Sequence, residues 1–301
     1  MAGAFTAVDL SRLPFPDAVE TLDFEVILAE MIADLQERDS TFDALVESDP
    51  AYKILEVAAY RELLIRQRVN ESVKAVTLAY ATGADLDNIA ANYNVERLLV
   101  TPADPTTIPP TEAVYETDAN LRRRVQLSFE GYSTAGPAGA YIYHALSADP
   151  LVADVSVYGP PETPGVVEVA VLSGEGSGEA DSDLLDAVET ILSAEDVRPL
   201  TDNVTVKSAT IIEYDVEATI TFYEGPDQAV VMAACEDAIE AYTTRQHKLG
   251  LDVSLSGIYA ALHQEGVQNV TVTVPLSNIV IDWDEASYCT GITLTNGGTD
   301  E

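Results

Sequence analysis

Between residues 17 and 38 the apolar positions Val19, Leu22, Val26, Ile27, Met31 and Leu35 recur at spacings of three and four. That period predicts an amphipathic helix. Pro14 and Pro16 precede it and Asp17 suits its N-cap, so the start is expected there. A second helix is expected over 49–80: Asp49 caps it, Pro50 fits its first position, and Ile65, Val69, Val73, Val76 and Tyr80 form one ridge. Gly83 stops it, and a short third helix over 84–93 completes a helical region of residues 1–100.

Residues 101–113, TPADPTTIPPTEA, carry four prolines between 102 and 110 and no helical period. An extended linker or surface loop is expected over 101–117. Helix resumes near Asp118 and over 139–147, and then the period changes. Residues 154–158 and 166–172 read as strands, followed by helix (181–194), strands (203–208 and 211–223), helices (227–246 and 255–264) and a strand (267–274). Strand-like pieces at 278–282 and 290–295 lead to an NGGTDE end expected to fray. The fold class is therefore α+β. A helical region precedes two small mixed units, 118–209 and 210–301, each a sheet covered by helices on one face.

Charge changes the picture more than size does. The 301 residues are 47% hydrophobic, with a mean hydropathy of +0.07, enough to bury cores in two or three domains. Against 15 basic residues stand 51 acidic ones, a net charge of −36 and a pI near 4.1. Such a chain is repelled by phosphate backbones and anionic lipid, which excludes nucleic acid and membrane surfaces as expected partners. The distribution is uneven: residues 53–124 hold nine of the bases and net −1, whereas 1–52 carry −10 and 125–301 carry −25. Lys53, Arg61, Arg66, Arg68 and Lys74, with the triplet Arg122, Arg123 and Arg124, make this the electropositive zone. Two readings follow, neutralisation of local carboxylates or a docking surface for acidic partners.

Asp9 and Arg12 interrupt the stretch where a secretory signal would need apolar residues, and no run of about twenty apolar residues occurs. A soluble chain made in the cytoplasm is expected, with Cys235 and Cys289 buried and reduced. The chemistry-bearing residues are sparse. His144, His247 and His263 lack metal-ligand spacing, no GxSxG elbow occurs, and Glu175 and Glu179 in the glycine loop SGEGSGE (173–179) would repel a phosphate. Asp282, Asp284 and Glu285 surround Trp283 without an EF-hand pattern, and the sequons at Asn70, Asn203 and Asn269 fall within expected helix or strand. The expectation is a protein that is not an enzyme and has no cofactor, no metal and no catalytic residue.

Four segments carry a resemblance: LEVAAYRELL (55–64), LAYATGADLDNIA (78–90), RRRVQLSFEGYSTAGPAGAYIYHALSADP (122–150) and RPLTDNVTV (198–206). In this order they resemble the baseplate J-like family of contractile-tailed phages and related injection systems, and the likeness covers nearly the whole chain. The resemblance implies a structural wedge component located in the tail baseplate and assembled in the bacterial host cytoplasm. It implies a two-to-one complex of J-like copies with a second wedge protein of the tail protein I type, joined through bundled helices. It further implies wedges closing into a ring around a central hub, with a sheath-initiator-type baseplate protein alongside.

Apolar residues of the long helix, Ile54, Leu55, Val57, Leu63, Leu64 and Ile65, cover more than a third of its circumference, more than a three-helix unit would bury. The partner interface is accordingly expected at Leu22, Ile27, Leu55, Tyr60, Arg61, Leu64, Ile65 and Arg68. The competing readings are a helix buried in its own domain, a tail-associated peptidoglycan hydrolase and an acidic surface adhesin.

Overall fold

The computed structural model describes residues 8–133, 136–225 and 227–300. Two compact units emerge: one holds the described residues up to Arg97 together with Thr117–Val125, the other Leu98–Glu116 and the described residues from Gln126 onward.

In the helical unit, α1 spans Phe24–Arg38 and is capped by Asp23, whose carboxylate accepts from the N–H groups of Glu25 (2.8 Å) and Val26 (3.3 Å). The start is six residues later than Asp17 predicts. Asp17 instead lies in a turn closed by Val19 N–H on the Pro16 carbonyl, and residues 19–23 are without regular structure. The next helix, α2, spans Pro50–Ala75 and α3 spans Gly83–Ala91. Asp49 precedes α2 but spends its carboxylate on Val46 N–H at 3.0 Å. The expected continuation to Tyr80 is a turn in which Tyr80 and Ala81 donate to the Thr77 carbonyl. The α1–α2 seam buries Ile27, Leu28 and Ala59, flanked by Phe24, Met31, Tyr52, Leu55 and Leu63. The small Ala59 side chain lets the two helices approach. A further helix, α4 (Asp118–Leu127), contributes the buried Leu121 and Val125 to this unit.

In the second unit the proline-rich stretch folds back on itself. Strands β1 (Leu99–Thr101) and β2 (Val114–Tyr115) pair antiparallel, and Asp104 bridges Thr111 within the loop. Then come α5 (Ala138–Ala148), β3 (Val152–Tyr158), β4 (Val166–Ser173), α6 (Ser182–Leu192) and β5 (Asn203–Ser208). Their sheet has the order β3-β4-β5, antiparallel then parallel. Tyr141, Ala145, Leu184, Val188 and Leu192 of the helices pack on Val155, Val169, Val171 and Val204. Gly178 closes the turn after β4 at φ +102°, where a Cβ would stand 2.5 Å from Leu172. SGEGSGE is thus a tight strand-to-helix turn.

The last part comprises β6 (Thr210–Phe222), α7 (Gln228–Gln246), α8 (Leu255–Leu262), β7 (Val267–Val274) and β8 (Glu285–Thr299). Strand order is β7-β6-β8, with β6 and β8 parallel. Alternate residues of β6, Val216, Ala218, Ile220 and Phe222, form the core with Ile239, Ile258 and Leu262. Two expectations are corrected here. Residues 278–282 make only the bridge Ile279 to Val253, and the end expected to fray is paired, Thr299 with Phe222 and Asp300 N–H on the Phe222 carbonyl at 3.0 Å. Parallel pairing to a strand far back in sequence leaves no local signature.

Candidate assembly surface

Helix α2 turns one face to α1 and leaves the other exposed. Leu55, Ala59 and Leu63 lie on the inner face with Ile27. On the outer face, Ile54, Val57, Tyr60, Leu64, Ile65 and Val69 recur at helical spacing and are all exposed; Ile54 keeps 69% and Ile65 65% of its surface in solvent. Arg61 and Arg68 stand exposed among them.

Of the eight residues expected at the interface, the structure therefore brings Tyr60, Arg61, Leu64, Ile65 and Arg68 to one exposed face, and Leu22 is half-buried. Ile27 and Leu55 are corrected. Ile27 is 4% exposed and packs with Leu55 in the α1–α2 seam, because two adjoining apolar stripes satisfy each other first. Ile54, Val57 and Val69 belong to the exposed face and were outside the expected set. Their signal is the same three- and four-residue spacing continued along α2.

Burying a Val, Leu or Ile side chain fully is worth about 1.5–3 kcal/mol. An exposed ion pair contributes about 1 kcal/mol or less. Burial of the apolar stripe would therefore yield more energy than pairing of its charged margin. The bases of α2 are largely answered within the helix: Lys53 meets Glu56 at 2.8 Å, Arg66 meets Glu62 at 2.5 Å, and Arg68 meets Glu71 at 3.8 Å.

The arginine triplet faces inward. Arg122 donates to the carbonyls of Leu78 (2.7 Å) and Ala81 (2.6 Å), Arg124 donates to that of Glu96 at 3.0 Å and is 6% exposed, and Arg123 is half-buried. Arg122 thus fastens the turn after α2, and Arg124 the segment after α3. Arg97 ties the same unit together, 2.7 Å from both Asp87 and Asp118.

The remaining polar candidates also serve the fold. His144 Nε2 is 3.2 Å from the Gly131 carbonyl, and burial lowers its pKa. His247 Nδ1 is 2.6 Å from that of Ser287. Cys235 is buried and Cys289 only half-buried, both are free, and burial raises both thiol pKa values. In the acidic cluster, Asp284 pairs with Lys207 at 2.8 Å and Glu285 accepts from Asp282 N–H. Among the described residues no group of three or more His, Cys, Asp or Glu is placed to hold a metal ion, and no helix is long and apolar enough to cross a membrane.

Comparison with known proteins adds three matches along the chain. Residues 47–104 match the baseplate J-like N-terminal domain, 133–208 the baseplate J-like central domain, and 214–295 the baseplate J-like protein C-terminal domain. The sequence is 52% identical to baseplate protein J of Escherichia phage P2 over 301 residues, 98% of this chain and 99% of that protein. Among solved structures, a chain of the cryo-EM structure of the anti-feeding prophage (AFP) baseplate, 6-fold symmetrised, is similar with a TM-score of 0.42. The identity is 14%, over 60% of this chain and 43% of that one.

Proposed function

This chain belongs to the baseplate J-like family, and from that premise we propose that it builds a tail wedge through the exposed face of α2. It is a structural protein of the tail baseplate in the virion and not an enzyme. The hydrolase and adhesin readings fall with that. The single observation that carries the wedge reading is the exposed apolar stripe from Ile54 to Val69 on a helix already packed on its other side.

That stripe receives helices of a second wedge protein of the tail protein I type and of a second copy of this chain, in a two-to-one complex. The α+β parts, which carry most of the net negative charge, then meet neighbouring wedges, a sheath-initiator-type protein and the central hub. Residues 53–124, which include all but the first turn of α2, net only −1, so helix-to-helix association there meets the least repulsion.

Replacing Leu64 and Ile65 by Asp would set two charges into a desolvated seam, where each unpaired charge costs several kcal/mol. Both side chains are exposed in the chain itself, so folding should survive. The expected outcome is a variant with parental circular dichroism that no longer co-purifies with the second wedge protein. Retained co-purification would place the interface elsewhere.

A further inference from the structure

The central sheet has a second face. By the strand registers, Asp154, Ser156 and Tyr158 of β3, Glu168, Ala170 and Leu172 of β4, and Thr205 and Lys207 of β5 share the side opposite α5 and α6. Ala170 and Leu172 on it are fully buried. Leu172 lies in a small apolar seam with Ala209, Ala286, Ile211 and Leu249, residues of the C-terminal part.

Only Ala209 separates β5 from β6. Its N–H donates to the Val171 carbonyl at 2.8 Å, and Thr210 N–H donates to that of Asp284 at 2.9 Å. Leu249 N–H donates to the buried Asp154 carboxylate at 3.1 Å. Seam and hydrogen bonds together make a pivot between the central and C-terminal sheets.

Toward the far edge of the same face stands a different arrangement. The Lys207 ammonium lies 3.2 Å from Glu168 of the central sheet and 2.8 Å from Asp284 of the C-terminal part. It also sits 4.5 Å over the ring of Trp283, which stacks on Tyr158 at 5.0 Å and 28°. Each contact is weak alone, since the three charged side chains keep between 26% and 37% of their surface in solvent. Their arrangement is what matters. Residues 125–301 hold 29 acidic groups and four bases, and one of those bases stands between carboxylates from two sheets. Without it, Glu168 and Asp284 repel across the junction, so a single cation decides the sign of the interaction.

We propose that Lys207, Glu168, Asp284 and the stacked Trp283–Tyr158 pair form a latch that sets the angle between the central and C-terminal sheets about the Ala209 pivot. Each sheet keeps its own core, so the latch opens without unfolding either. This inference does not depend on which partner α2 receives.

Trp283 is the sole tryptophan and reports the latch directly. In the full-length chain, Lys207→Met should move its emission to longer wavelength, increase its quenching by acrylamide and enlarge the radius of gyration in X-ray scattering, with far-UV circular dichroism unchanged. Lys207→Arg should restore the parental values. A parental scattering profile in Lys207→Met, even with altered emission, would overturn the latch, because the cation would then only shield the ring. Should Lys207→Met lose its far-UV signal, Asp284→Asn serves instead, since it cuts the attachment to the C-terminal part and leaves the Lys207–Glu168 pair. A larger radius of gyration in that variant supports the latch and an unchanged one overturns it.

Discussion

The Asn70 side chain pairs with the Glu20 backbone in both directions, accepting from its N–H at 3.0 Å and donating to its carbonyl at 2.8 Å. It thereby fastens the segment ahead of α1 to the C-terminal half of α2. Phe15 completes the fastening, 4.7 Å from the Tyr80 ring and 4.2 Å beneath the Lys74 ammonium, while Tyr80 donates to the Leu13 carbonyl.

Asn70→Ala removes both amide bonds. Each contributes about 0.5–1.5 kcal/mol, and exposure puts these at the low end. The global melt should move little, whereas trypsin should cut at Arg12 faster than in the parent. Equal cleavage rates would mean the segment is held without Asn70.

Ala59 has no solvent-accessible surface and packs with Ile27 and Leu28 in the α1–α2 seam. Ala59→Leu should destabilise the helical unit by about 1–3 kcal/mol through overpacking. Urea unfolding checks this, and a parental midpoint would show that the seam has room.

Two buried tyrosines should respond oppositely to loss of the hydroxyl. Tyr141 donates to the Asp202 carboxylate at 2.8 Å, and Tyr141→Phe should cost about 1.5–3 kcal/mol, the worth of a bond to a charged group. The Tyr214 hydroxyl is buried with no hydrogen-bond partner among the described residues. Tyr214→Phe should be neutral or stabilising by about 1 kcal/mol or less, since it removes a desolvated polar atom. Burial, with the Asp202 bond added at Tyr141, raises both phenol pKa values, so each should ionise above the ordinary tyrosine range in an alkaline ultraviolet titration.

Partial burial alone would raise the pKa of Asp118, but hydrogen bonds from Arg97 and from Gly83 N–H outweigh it, and the carboxyl is held below its ordinary value. Its stabilisation is therefore present above the unfolded value of about 3.9 and lost as pH falls through the lower folded value. The stability gap between parent and Asp118→Asn should be full at neutral pH and close in acid. A gap independent of pH would remove Asp118 ionisation as its cause.

Salt should stabilise the chain. Between 50 and 500 mM NaCl the Debye length falls from roughly 14 Å to about 4 Å, screening repulsion among the excess acids. The melting temperature should rise across that range, most for the α+β part, which has four bases against 29 acids from residue 125 onward. A flat series would show that repulsion is already relieved within the fold.

Most elements were legible because their periods are local. The run VVEVAVL reads as a strand, though Glu168 interrupts it and the pattern leaves open whether one face or both are covered. What covers its second face was not legible, because Leu249 and Ala286 reach Leu172 from far along the chain. The candidate surface divides in the same way. Spacing identified α2 as apolar around much of its circumference, yet only three-dimensional packing shows that α1 takes Leu55 with Ile27 and leaves Leu64 and Ile65 outside. That Asp23 rather than the expected Asp17 caps α1 follows a turn closed on the Pro16 carbonyl, which the helical period does not encode.

The parallel pairing of β6 with β8 also has a mechanical meaning. The chain enters this ladder at Thr210 and leaves it at Thr299, which lie at opposite ends of the paired strands. Tension between those points runs along the strands and across every rung at once, so the hydrogen bonds bear the load together instead of parting one by one. Single-molecule pulling between the two positions should show one high force peak, the response of a ladder that resists stretching along its length.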